Sequence, residues 1–229
     1  MPKSVRSGEV TEFSSWLKAE SDQKSYLVQV LHWFYYRPAR LRSSWKQEEV
    51  LTWELIRAVE ILPHSLFLRP MLERFSLADG RIKTVVDDLL GAEELEISPY
   101  PGLGLPGSKR NCKSDIGISR KGGACLWIEA KTAPFKPADL ETQLQQQSTA
   151  MAQLMPHVPT ALVTLLPRDR ALSRFASLDW LDVEVALEQC LERMIFEIPE
   201  VGLSRGYRVV AAELLGRIRS HPNRASGWV

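Results

Sequence analysis

The segment KSDIGISRKGGACLWIEAK, Lys113–Lys131, holds the side chains best equipped for chemistry: Asp115, Glu129 and Lys131. Both halves read as strands separated by a turn containing Gly122-Gly123, so side chains alternate between two faces. Trp127, Glu129 and Lys131 share one face of the second strand, and Leu126, Ile128 and Ala130 share the other. On the first strand Asp115 and Gly117 oppose Ile116 and Ile118. A loop of Lys121–Gly123 pairs Arg120 with Ala124 and sets Asp115 opposite Glu129. One residue more or less in the turn moves the match to Ile128.

Two opposed carboxylates on one sheet face repel each other, and a divalent cation is the usual relief. Their hard oxygens suit Mg²⁺ or Mn²⁺, with the Ala130 carbonyl as a further ligand. The chemistry expected is metal-dependent hydrolysis of a phosphodiester, a metal-activated water attacking phosphorus. Lys131, two residues beyond Glu129 on the same face, positions the attacking hydroxide and stabilises the pentavalent phosphorus. The plainer alternative is a solvated strand face, with Lys131 as a salt-bridge partner. Against it, the acids interrupt otherwise apolar strands, and the small Gly117 leaves room beside Asp115.

Several elements must hold this hairpin. An aromatic-rich amphipathic pattern runs from Glu12, through Trp16, Tyr26, Leu27, Val30, Leu31, Phe34 and Tyr35, until Pro38 stops it. Trp45–Leu62 reads as a second helix closed by Pro63. Ser65–Phe75 reads as a third that Pro70 should kink or split, and Arg81–Leu90 as a short fourth ending at Gly91. Leu95–Tyr100 is a strand candidate, and PGLGLPGSKRN a Pro/Gly loop. Pro137–Met155 is a glutamine-rich helix and Thr160–Leu166 an apolar strand. Trp180–Phe196 and Tyr207–Arg219 are helical. A strand reached through a crossover helix implies a mixed α/β sheet flanked by helices.

SD-IGI followed by LWIEAK resembles the core of the PD-(D/E)xK nuclease superfamily, the restriction-endonuclease-like fold. There one acid sits on a strand, ExK on the next, then a helix and another strand. Asp115, Glu129-Ala130-Lys131, the helix after Pro137 and the strand Thr160–Leu166 come in that order. The likeness covers about 70–167. Ser114 stands where the motif has proline, at a position expected to carry no chemistry. The resemblance implies an N-terminal helical region, 1–63, and a nuclease-like domain, 64–229. It also implies a further acid on the preceding helix, Glu73 first with Asp87 and Glu60 behind it, and a glutamine near the metal, Gln143 or Gln147. The function implied is Mg²⁺-dependent cleavage of nucleic acid, DNA favoured, in restriction, repair, recombination or phage defence. A silent nuclease-fold module that binds nucleic acid or a partner protein is the alternative.

Basic residues cluster at Arg37, Arg40, Arg42 and Lys46, and at Lys109, Arg110 and Lys113. These are the candidate phosphate contacts. Arg120 and Lys121 top the hairpin at its far end. Net charge is only +1 in 229 residues, so any nucleic-acid binding must be local. Three widely spaced cysteines and four histidines form no zinc or disulfide pattern. MPKSVRSGEVTEF lacks a signal peptide's apolar stretch, and no run approaches the roughly 20 apolar residues of a membrane span. A cytoplasmic enzyme is expected, with a homodimer or larger complex for cutting two strands.

Overall fold

The computed structural model describes residues 47–99, 101–104, 111–132, 135–167, 172, 174–197 and 201–221. All of them fall within one compact unit, Lys46–Val229. The aromatic pattern from Glu12 to Tyr35 and the basic group Arg37, Arg40, Arg42 and Lys46 lie outside the described residues, as do Lys109 and Arg110.

Helix α1, Gln47–Ile61, buries Leu51, Leu55, Ala58 and Val59 at the three- and four-residue spacing of an amphipathic helix. Helix α2 spans Leu68–Ala78, later than its apolar pattern suggests, because Pro63–Phe67 is taken up by a turn. Pro70 therefore falls in the first helical turn, where a missing N–H costs no helical hydrogen bond, and no kink is required. A 3₁₀ turn, Gly80–Ile82, leads into α3, Lys83–Leu90, which ends at Gly91.

The strands are β1 Glu96–Pro99, β2 Gly102–Gly104, β3 Asn111–Lys113, β4 Ile116–Ser119, β5 Cys125–Ala130, β6 Thr160–Leu166 and β7 Ala176–Asp179. Helix α4, Pro137–Leu154, crosses from β5 to β6, and α5 Trp180–Glu197 and α6 Val201–Ser220 close the chain. The sheet is five-stranded and mixed, in the order β1-β4-β5-β6-β7: the first three strands alternate in direction and the last three run parallel. With six α-helices among the described residues, the class is mixed α/β.

Strands β5 and β6 are buried on both faces, as a central parallel pair must be. Helix α4 covers the Trp127 face, its Leu140, Leu144 and Met151 packing with Trp127, Leu162 and Leu166. Helices α1, α2 and α3 pack against β1, β7 and β5.

Two elements depart from the sequence reading. The glycine-rich stretch expected as a plain loop pairs part of itself as the β2–β3 ribbon, which lies against α4. Strand β7 was not expected. Its Ala-Ser-Leu-Asp composition has little strand preference, and parallel pairing to β6 selects it instead. Asp179 and Asp182 then cap α5 reciprocally, each carboxylate accepting the other's backbone N–H at 3.1 and 2.9 Å.

Candidate active site

The hairpin turn sets the register of everything beyond it. Arg120 N–H donates to the Ala124 carbonyl and Gly123 N–H to the Arg120 carbonyl, leaving Lys121–Gly123 as the loop. Gly122 sits at φ +70°, which a side-chain-bearing residue adopts only with strain. Down the ladder Ile118 pairs with Leu126, Gly117 with Trp127 and Ile116 with Ile128. Continued by one step, that register sets Asp115 across from Glu129, as expected from a three-residue loop.

Asp115 lies just before β4 and is held by two devices. Its Oδ2 accepts the Ala130 N–H at 2.8 Å. Before it, the buried Ser114 hydroxyl donates to the Ile128 carbonyl at 2.9 Å, and Ser114 N–H donates to the Pro101 carbonyl. Ser114, expected to carry no chemistry, fastens the approach to Asp115 onto β5. Gly117 also does something other than expected. A Cβ there would come within 2.9 Å of the Pro101 ring, so the space beside Asp115 is occupied by Pro101.

Glu129 is 2% exposed, and three side chains converge on its carboxylate. Lys131 Nζ and Gln143 Nε2 each donate to Oε1 at 2.7 Å, and Gln147 Nε2 donates to Oε2 at 2.9 Å. Lys131 Nζ also donates to the Ala130 carbonyl at 3.1 Å and lies 3.8 Å from Asp115 Oδ2. One ammonium thus sits among the three groups expected to bind a metal. Beneath it, Trp180 Nε1–H donates to the Lys131 carbonyl at 2.9 Å, tying the lysine to the start of α5.

Gln143 and Gln147 are not alternatives: both reach Glu129. Gln147 continues the buried stripe Leu140, Leu144, Gln147, Ala150 and Met151 of α4. Its Nε2 also donates to the Lys113 carbonyl, which fixes the amide orientation because both neighbours are acceptors. Gln147 Oε1 is left buried with no hydrogen-bond partner among the described residues. Such an atom has an unmet demand for a cation or a donor.

A polar row crosses the sheet on this face. Glu129 is in register with Thr164 on β6, and Thr164 with Ser177 on β7, the two hydroxyls 2.5 Å apart. Thr164 and Ser177 were missed by sequence reading, although Thr164 interrupts an apolar strand much as Glu129 does.

Other expected residues lie apart from this cluster. Glu73 is exposed on α2, 3.9 Å from Arg69, and lines a groove of about 750 Å³ with Lys83, Asp87 and Leu90. Asp87 pairs with Lys83 at 2.8 Å. Glu60 lies half-buried on α1. Glu73 and Asp87 are thus paired with basic residues of their own helices, α2 and α3. Lys113 is exposed at the end of β3, two residues before Asp115.

The donor set fits Mg²⁺ or Mn²⁺ in kind: the two carboxylates and the Ala130 carbonyl are all hard oxygens. Among the described residues no group of three or more His, Cys, Asp or Glu side chains is arranged to hold a metal ion. A site of two carboxylates completed by water and backbone oxygen is within the ordinary range for Mg²⁺. No helix of the described residues is long and apolar enough to cross a membrane. Comparison with protein-family models, curated proteins and solved structures finds no match to this chain.

Proposed function

We propose that this chain is a nuclease of the restriction-endonuclease-like type, hydrolysing nucleic-acid phosphodiesters with Mg²⁺ or Mn²⁺, DNA favoured over RNA. The observation that carries the proposal is the convergence on Lys131 Nζ of Glu129, the Ala130 carbonyl and Asp115. Supporting it is the chain order of hairpin, crossover helix and parallel strand, with α4 supplying glutamines to the second acid.

Asp115, Glu129 and the Ala130 carbonyl would hold the ion, which supplies Lewis-acid polarisation of the phosphate and a nucleophilic water at neutral pH. Ala130 N–H keeps the Asp115 carboxylate facing the site. Gln147 holds Glu129 by one oxygen, and its second bond to Lys113 links that grip to the chain entering Asp115. Lys131 orients the attacking water and offsets charge on the phosphoryl oxygens. Lys113, exposed beside the site, meets a neighbouring phosphate. A single site per chain favours a homodimer for double-strand cutting.

One observation favours a second reading. Both Glu129 oxygens already have protein donors, as a silent module with a structural ion pair would have. Incubation of plasmid, single-stranded DNA and RNA with Mg²⁺ or Mn²⁺ separates the two. A nuclease cleaves at least one of them and loses that activity in Asp115→Ala and Lys131→Ala. Folded protein inert on all three is the silent module.

A further inference from the structure

Two opposed carboxylates raise the problem that the sequence resolves with a metal, but in this structure the lysine resolves it. Lys131 Nζ lies 2.7 Å from Glu129 Oε1, 3.1 Å from the Ala130 carbonyl and 3.8 Å from Asp115 Oδ2. These are the same three groups that the metal reading uses as ligands. Ala130 alone separates Lys131 from Glu129 in the chain, and Trp180 holds the Lys131 carbonyl, so the lysine backbone is anchored while its long side chain has several rotatable bonds.

Resting on the metal reading above, we infer that Lys131 is a tethered placeholder cation, which holds the acids together without metal and must leave Glu129 for the ion to enter. Gln143 and Gln147 make the exchange feasible. They keep a donor on each Glu129 oxygen after the ammonium departs, so the carboxylate stays in place. Lys131 is then delivered to the reaction by the same event that loads the site. Metal binding and lysine release form one equilibrium, in which each opposes the other.

Crystals of the wild-type chain soaked in Mn²⁺, with the ion located by anomalous scattering, test this directly. The expected result is an ion between Asp115 and Glu129, with Lys131 Nζ out of hydrogen-bonding distance of Glu129 Oε1. An ion there with the Lys131–Glu129 contact intact overturns the placeholder and leaves the metal site standing. No ion at the two acids removes both. In solution, Lys131→Met should bind Mn²⁺ about tenfold more tightly than wild type by calorimetry. Equal or weaker binding by that variant, with wild type binding normally, again overturns the placeholder alone.

Discussion

The β4–β5 hairpin has a carboxylate–cation cluster at each end, and the two differ in burial rather than chemistry. At the turn, Asp88 of α3 accepts from Arg120 at 2.7 Å through one oxygen and from Ala124 N–H at 2.7 Å through the other. At the open end, Asp115, Glu129 and Lys131 form a similar set. Arg120 is 46% exposed, whereas Glu129 is 2% exposed. Water screens the first cluster, so it contributes little beyond docking α3 on the hairpin and fixing the loop. The second is more buried, with Lys131 19% and Asp115 20% exposed, so its charges interact more strongly and depend more on their partners.

The largest expected effect tests whether burial marks function. Asp115→Ala or Lys131→Ala should reduce Mg²⁺-dependent cleavage by roughly a thousandfold or more, the order expected when a charge-stabilising group is lost from a catalytic site. Arg120→Ala, with the same kind of ion pair removed at the turn, should stay within about twofold. Initial rates of plasmid nicking measure both. Comparable losses at the two ends would mean that Asp115 and Lys131 only maintain the hairpin.

The glutamines grade the open end. Gln147→Leu should lower metal affinity or cleavage by about 10- to 100-fold, the usual cost of losing a partner that orients a ligand. Gln143→Leu should cost less, because Gln147 alone also holds the Lys113 carbonyl. Calorimetric Mn²⁺ titration ranks them, and equal losses would remove the special place given to Gln147.

How far this was legible in the sequence follows from what kind of force sets each feature. The opposition of Asp115 and Glu129 could be read because a short glycine turn determines register locally. The sequence offered Gln143 or Gln147 without choosing between them, and in the fold Gln147 is the one that extends the buried stripe of Leu140 and Leu144. Strand β7 was not readable: its residues have little strand preference, and β6 supplies the pairing. The packing of Gly117 and the backbone bond of Ser114 depend on Pro101, which comes from a distant part of the chain. Glu73 was chosen without knowledge of which way its helix faces, and the fold sets it beside Arg69 on an exposed groove.

Stability measurements should show the turn end as a modest clamp. Asp88→Ala removes both the Arg120 pair and the acceptor for Ala124 N–H, and should cost about 1–2 kcal/mol in urea unfolding. Arg120→Ala removes only the exposed pair and should cost under about 1 kcal/mol. If the arginine variant costs as much as the aspartate variant, the ion pair and not the backbone cap holds the turn.

The smallest effect concerns whether the turn end responds to the site at all. Cys125 begins β5, paired with Ser119 near the turn, and burial pushes its thiol up to about 11. Only the thiolate alkylates readily, so Cys125 should react slowly with iodoacetamide at neutral pH. The rate should climb about tenfold per pH unit while the pH stays well below that value. Cys190, fully buried on α5 and pushed up to about 12, is the slower internal control. Adding Mg²⁺ should leave the Cys125 rate unchanged, because Glu129 and Lys131 lie at the other end of the strand. A Mg²⁺-dependent change, read by mass spectrometry of the Cys125 peptide, would mean that the ends of β5 move together. The division into a static clamp and a responsive site would then have to be abandoned.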